Sequence, residues 1–164
     1  MYNILSNIKK TKYLAIDSHH PLQRYGDLPH FYHLEMVVEL LKRFGFNDEK
    51  YIISGYLHDV IEDSNLNYND LKRIFNEEIA EIIFCLSDNI GRNRKERKNY
   101  DLIKSNINSI IIKLADRIAN VEYSKFMNNR MFNVYKKEYK NKLFINGLCD
   151  EMWNHLDNLL YKKI

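Results

Sequence analysis

Leu57-His58-Asp59-Val60-Ile61-Glu62-Asp63 places a histidine and three carboxylates within six consecutive residues, at the end of an apolar run of Tyr51, Ile52, Ile53, Tyr56 and Leu57. Residues three and four apart share one face of a helix. A helix continued through this stretch therefore aligns His58 with Glu62 and Asp59 with Asp63. One reading is a helix end with solvated acids, although the helix dipole disfavours acids there. The other is a cation site, because a buried cluster of acids is costly unless a positive charge neutralises it.

On the N-terminal side, residues 2–16 carry Ile4, Leu5, Ile8, Tyr13, Leu14 and Ile16 at helical spacing. Residues 17–29 hold both prolines, a glycine and two histidines, and read as a loop. A helix is expected from about His30 to Phe44, with Leu34, Val37, Val38, Leu40 and Leu41 as its apolar stripe, His33 in its first turn and Gly45 as its stop. The next helix is expected from an Asp48 cap through the opening stretch.

On the C-terminal side, Asn69 is expected to cap a helix of Asp70 to Phe75, and Glu77 to Leu86 to form another. Asp88 to Lys98 then holds five basic residues in eleven, Arg92, Arg94, Lys95, Arg97 and Lys98. It reads either as a solvated segment or as a grip on polyphosphate, for which Arg and Lys are the suited side chains. Residues 107–125 form a strongly apolar helix with Asp116 and Arg117 in its middle. Arg117 points about 100° away from Asp116, whereas Asn120 shares the Asp116 face. The tail carries Leu143, Phe144, Leu148, Met152, Trp153, Leu156, Leu159 and Leu160 on one long amphipathic helix, a stripe that suits a core or a homo-oligomer interface.

Composition agrees with an all-α chain. Only 5 glycines and 2 prolines occur in 164 residues, too few turn formers for a many-stranded β fold. The length suits one domain, spanning 1–164, with a motif-bearing core at about 18–125 and a helical extension at about 133–164. A net charge of +3 gives no reason to expect a nucleic-acid partner. Cys85 and Cys149 lie in apolar surroundings and read as free thiols of a reducing compartment. No apolar run reaches the roughly 18 residues of a membrane span, and the N-terminus lacks a signal-peptide core, so a cytoplasmic protein is expected.

Four polar groups thus stand on apolar helices: His33, His58, Asp59 and Asp116. Two imidazoles and two carboxylates suit one borderline divalent metal, Mn²⁺, Fe²⁺ or Zn²⁺, with coordination positions left open. Such an ion polarises a phosphorus–oxygen bond and lowers the pKa of its water. Glu62 and Asp63, one turn on, are candidates to orient or deprotonate that water.

These residues resemble the H…HD…D signature of HD-domain metal-dependent phosphohydrolases. Three stretches resemble the hydrolase domain of RelA/SpoT-type alarmone enzymes. Leu57 to Asp63 is similar to the LLHDVIEDT block, and Lys113-Leu114-Ala115-Asp116-Arg117-Ile118-Ala119-Asn120-Val121 is similar to the KLADRLHNM block. Arg24 through His33 is similar to R-x-S-G-x-P-Y-x-x-H. The resemblance covers roughly residues 18–125. It implies an HD-domain helical bundle with the metal, one Mn²⁺, between core helices. It also implies removal of the 3′-pyrophosphate from guanosine tetra- or pentaphosphate, with GDP or GTP and pyrophosphate as products.

Carried over by position, His33, His58, Asp59 and Asp116 hold the metal, and Glu62 and Asp63 handle water. Arg24, Asn120, Lys113, Arg117 and the basic residues Arg92, Arg94, Lys95 and Arg97 are the candidate substrate contacts, with Lys113 and Arg117 also able to brace the site. Departures fall where the family reads base and sugar. One extra residue separates Gly26 from His33, Tyr25 stands for Ser, His30 for Tyr, and Ala119 for His. The expectation is a small stand-alone alarmone hydrolase. The alternatives are another HD-type nucleotide hydrolase, a 5′-nucleotidase or a phosphodiesterase, and a non-catalytic nucleotide-binding module.

Overall fold

A computed structural model describes residues 2–19, 23–88, 99–138, 145 and 147–162. In chain order the helices are α1 (Tyr2–Ser18), α2 (Phe31–Arg43), α3 (Glu49–Leu57), α4 (Val60–Asp63), α5 (Tyr68–Ile74), α6 (Glu77–Leu86), α7 (Tyr100–Lys104), α8 (Ile107–Phe126), α9 (Met131–Glu138) and α10 (Asp150–Tyr161). A two-stranded antiparallel ribbon, β1 (Arg24–Tyr25) and β2 (Leu28–Pro29), lies between α1 and α2. The all-α expectation holds, with this short ribbon inside the stretch read as loop. The basic residues Arg92, Arg94, Lys95 and Arg97, and also Leu143 and Phe144, lie outside the described residues.

Helix α2 is the central element. Leu34 and Val38 pack into one apolar cluster with Ile53, Tyr56, Leu57, Leu71 and Ile83. Val37 and Leu41, on the adjoining face, pack into a second with Ile82, Ile112, Ala115, Ile118 and Trp153. Its first turn, where His33 sits, is thereby fixed between α3 and α8. Gly45 ends α2 with φ +87, and the bonds Phe46 N–H to Leu41 O (2.9 Å) and Gly45 N–H to Lys42 O (3.0 Å) close the glycine-terminated helix end.

Helix α3 lies close against α2 at Gly55. A methyl group there would stand 2.9 Å from Leu41 Cδ1 and 3.0 Å from Val38 Cγ2. Gly55→Ala gains helix propensity, yet it is expected to destabilise the protein by about 1–3 kcal/mol through overpacking. A lowered urea midpoint at unchanged slope is the readout.

Three boundaries differ from the sequence expectation. The helix begun at Asp48 does not continue through the HD motif: α3 ends at Leu57, His58 and Asp59 form a turn, and α4 restarts at Val60. The α5 cap is Asn67, not Asn69. Asn67 Oδ1 accepts from Asn69 N (2.9 Å) and Asp70 N (3.3 Å), and Asp70 returns a carboxylate to Asn67 N (3.2 Å). That reciprocal pair outcompetes a cap two residues later. The C-terminal apolar stripe is not one long helix, because Gly147 (φ 79) and Cys149 (φ 58) turn the chain before α10. Met152, Trp153, Leu156 and Leu160 are buried in the chain's own core, against α8. Among the described residues no helix is long and apolar enough to cross a membrane.

Candidate metal centre

The turn at His58–Asp59 is what aims the site. His58 Nδ1 donates to Gly55 O at 2.8 Å, using one of the carbonyls left open at the end of α3. With Nδ1 carrying a proton, Nε2 presents its lone pair to the space between α2, α3 and α8. His58 is buried, as is His33.

The four polar groups converge. His33 Nε2 lies 3.3 Å from His58 Nε2 and 3.2 Å from Asp116 Oδ1. His58 Nε2 lies 3.2 Å from Asp59 Oδ2 and 3.9 Å from Asp116 Oδ1. Neighbouring donors around one cation with bonds near 2.0–2.1 Å stand about 3.0–3.4 Å apart, in octahedral or tetrahedral arrangement. Three of these four separations fall in that range, and one nitrogen from each of His33 and His58 groups with an Asp59 oxygen within 4.8 Å. The residues present fit a divalent cation in chemistry and in spacing.

Charges around the site follow from burial. Burial alone would lower the His58 pKa, but the charge and hydrogen bond of Asp59 and the charge of Asp116 outweigh it and raise it to about 9. Burial would likewise raise Asp59, yet the charge and hydrogen bond of His58 hold it well below the usual carboxylate range. Asp116 is held low against burial by Lys113, whose Nζ lies 3.0 Å from Asp116 Oδ2, and by His33 and His58. Lys113 is itself buried and stays charged, because Asp116 and Asp59 outweigh the cost of desolvating it.

A pH dependence follows. The His58 proton stabilises the fold fully below the unfolded histidine value of about 6.5, and this stability is lost as pH rises through about 9. A cation needs the same nitrogen deprotonated. Its affinity is expected to rise about tenfold per pH unit up to about pH 9 and to level off above it, measured by calorimetric titration in buffers of different ionisation heat.

The other candidates sort by geometry. Asn120 Nδ2 donates to Asp116 Oδ1 (2.5 Å) and to Asp116 O (2.9 Å), and its Oδ1 accepts from Tyr25 (3.3 Å) and Tyr135 (3.2 Å). It holds Asp116 in place and borders a pocket of about 270 Å³ lined by Arg24, Tyr25, Gly26, Tyr123 and Tyr135. Arg24 is exposed on the ribbon and donates to Asp27 O. Arg117 faces away from Asp116, pairs with Glu138 at 2.7 Å and lies over the Tyr135 ring.

Glu62 is bonded to the segment that follows α6. Its Oε1 accepts from Asp88 N at 2.8 Å, which joins α4 to the chain just after α6. The residue is exposed overall, but desolvation of its carboxyl and the charges of Asp88 and Asp59 push its pKa up, with Lys113 opposing them. Asp63 Oδ2 accepts from Gln23 at 2.7 Å.

Sequence reading missed two groups. His30 Nε2 stands 3.5 Å from Asp59 Oδ2, although His30 was noted only as a departure from Tyr. Tyr25, Tyr123 and Tyr135 wall the pocket from three elements or turns distant in sequence, which no local spacing signals.

No protein-family model matches the chain. The chain is 30% identical over 116 residues to a Synechocystis protein named probable guanosine-3′,5′-bis(diphosphate) 3′-pyrophosphohydrolase, covering 65% of this chain and 15% of that one. It is 31% identical over 140 residues to a Borreliella burgdorferi protein named guanosine-3′,5′-bis(diphosphate) 3′-pyrophosphohydrolase, covering 79% and 21%. It is 29% identical over 77 residues to the Drosophila melanogaster protein MESH1, named for the same activity, covering 45% and 43%. The chain therefore spans less than half the length of these relatives. A solved structure described as a metazoan ortholog of SpoT that hydrolyzes ppGpp superposes with a TM-score of 0.76 at 21% identity, covering 93% of both chains. The chain shares the all-helical fold of that structure.

Proposed function

We propose that this RelA/SpoT-like hydrolase-type domain, read as one unit over 1–164, removes the 3′-pyrophosphate of guanosine tetra- or pentaphosphate in the cytoplasm. The products are GDP or GTP and pyrophosphate. His33, His58, Asp59 and Asp116 would hold one Mn²⁺. The observation that carries this reading is the convergence of those four side chains at separations of 3.2–3.9 Å. The names of the relatives supply the substrate.

Bound there, a divalent cation supplies Lewis-acid polarisation of phosphoryl oxygen and activation of water. The chain's own residues have separate tasks. Glu62, with its pKa pushed up, takes the proton of the attacking water while the water oxygen bonds to phosphorus and the bond to the ribose 3′ oxygen breaks; that oxygen leaves with the bonding pair and takes a proton from solvent to become the 3′-hydroxyl of GDP or GTP. Lys113 and Asn120 fix the two carboxylate oxygens of Asp116. Arg24 and the tyrosine-walled pocket receive the nucleoside side. Arg92, Arg94, Lys95 and Arg97 are proposed to grip the phosphates. Arg117, tied to Glu138, braces α8 against α9.

The test is the purified chain with Mn²⁺ and a panel of ppGpp, deoxynucleoside triphosphates, nucleoside monophosphates and cyclic nucleotides. Pyrophosphate and GDP from ppGpp are expected. The departures at Tyr25 and His30, which border the pocket and the site, favour a second reading in which the nucleotide differs. Orthophosphate then marks a 5′-nucleotidase and a linear monophosphate a phosphodiesterase. Tight nucleotide binding without turnover marks a binding module. Arg24→Ala is expected to raise KM with kcat little changed, as read from steady-state kinetics.

A further inference from the structure

A second cluster of ligating side chains lies beside the first. One ring nitrogen from each of His19 and His30 and a carboxylate oxygen of Asp63 all lie within 4.8 Å of one another. They come from the residue after α1, the residue before α2 and the last residue of α4, so only the tertiary fold assembles them. The two imidazole rings lie 4.6 Å apart between centroids.

The hydrogen bonding points to a missing electrophile. His19 is 6% exposed, and its Nδ1 is engaged with Ala15 O at 2.6 Å. With that nitrogen donating, Nε2 is left with a lone pair, and it is buried without a hydrogen-bond partner. His30 Nε2 is also buried and makes no hydrogen bond, with Asp59 Oδ2 3.5 Å away. Leaving a buried polar atom unpaired costs about 1–3 kcal/mol, so two adjacent ones call for a common partner. A cavity of about 100 Å³ borders both rings, with Gln23 also in its wall.

We propose that His19, His30 and Asp63 form a second divalent-cation site, distinct from the His33–His58–Asp59–Asp116 centre. Two neutral imidazoles and one carboxylate select a borderline 3d cation such as Zn²⁺, Co²⁺ or Mn²⁺ over Mg²⁺ or Ca²⁺, which prefer all-oxygen donors. Gln23, which donates to Asp63 Oδ2 at 2.7 Å, orients the carboxylate. The two sites meet at Asp59, whose Oδ2 is 3.2 Å from His58 Nε2 and 3.5 Å from His30 Nε2. Asp63 then acts as a ligand, leaving Glu62 as the only acid of α4 for proton transfer. The proposal concerns metal alone and does not rest on which nucleotide is turned over.

The test is metal stoichiometry on the full chain, stripped with chelator and titrated with Co²⁺ while the visible absorption bands and calorimetric heat are followed. Two equivalents per chain are expected for the wild type. His19→Gln and Asp63→Asn are each expected to bind one equivalent, with circular dichroism unchanged. His58→Gln is expected to lose the other equivalent and keep this one. Asp63 is exposed, so its variant keeps the test valid should His19→Gln fold poorly. A single equivalent in the wild type, as when water alone fills the cavity, overturns the proposal. So does a His19→Gln or Asp63→Asn protein that still binds two.

Discussion

Asp116→Ala is expected to abolish turnover and to lower metal bound at the His33–His58–Asp59 centre to background. Three consequences combine. The cation loses a charged donor whose Oδ1 lies 3.2 Å from His33 Nε2 and 3.9 Å from His58 Nε2. Lys113, buried and held 3.0 Å from Asp116 Oδ2, loses its closest counter-charge. Asn120 Nδ2 loses its carboxylate acceptor. Removing one partner of a buried ion pair costs about 3–5 kcal/mol, so a large fall in melting temperature accompanies the loss of activity. Asp116→Asn separates the effects, because it keeps the side-chain volume and the Asn120 contact while removing the charge. Metal analysis and thermal unfolding on both variants give the readout. A fully active, metal-loaded Asp116→Ala protein would remove Asp116 from the ligand set.

Glu62→Gln is expected to lower kcat by about 10²–10⁴ with metal content unchanged, the range typical for losing a general base. Glu62 belongs to α4, beyond the turn that carries His58 and Asp59, and its carboxyl is bonded to Asp88 N rather than to either histidine. Its carboxyl also interacts electrostatically with Asp59 and Lys113, beside the candidate cation donors. The amide keeps an oxygen that can accept from Asp88 N, so the junction between α4 and the segment after α6 survives. Loss of metal together with activity would make Glu62 a ligand instead.

Much of the architecture was legible because helix formation and capping are local. The apolar spacing of Leu34 to Leu41 and of Ile107 to Val121 marks buried helices at nearly their observed bounds. The candidate donors were legible because an ionisable group on an apolar helix has few bland explanations. His33, His58, Asp59 and Asp116 stand out for that reason, although they lie up to 83 positions apart, from 33 to 116. What failed was the continuation of a pattern across a break. The 3.6-residue period runs through His58 and Asp59, but α3 ends at Leu57 and α4 restarts at Val60, and the side chains take other partners: His58 meets Asp59, Glu62 accepts from Asp88 N and Asp63 accepts from Gln23.

The sequence by itself determined the helical class, the order of most helices and the residue types able to bind a cation. These depend on local propensity and on the cost of burying charge, which short stretches encode. Only the tertiary structure decided which groups meet. It put His30 against Asp59, His19 beside His30 and Asp63, Asn120 on Asp116, and three tyrosines around one pocket. Those contacts join distant segments, and they depend on how closely α2 packs against α3 at Gly55 and on the turn after Leu57. Neither is a periodic property of the chain, which is why spacing alone could name the candidate donors but not their partners.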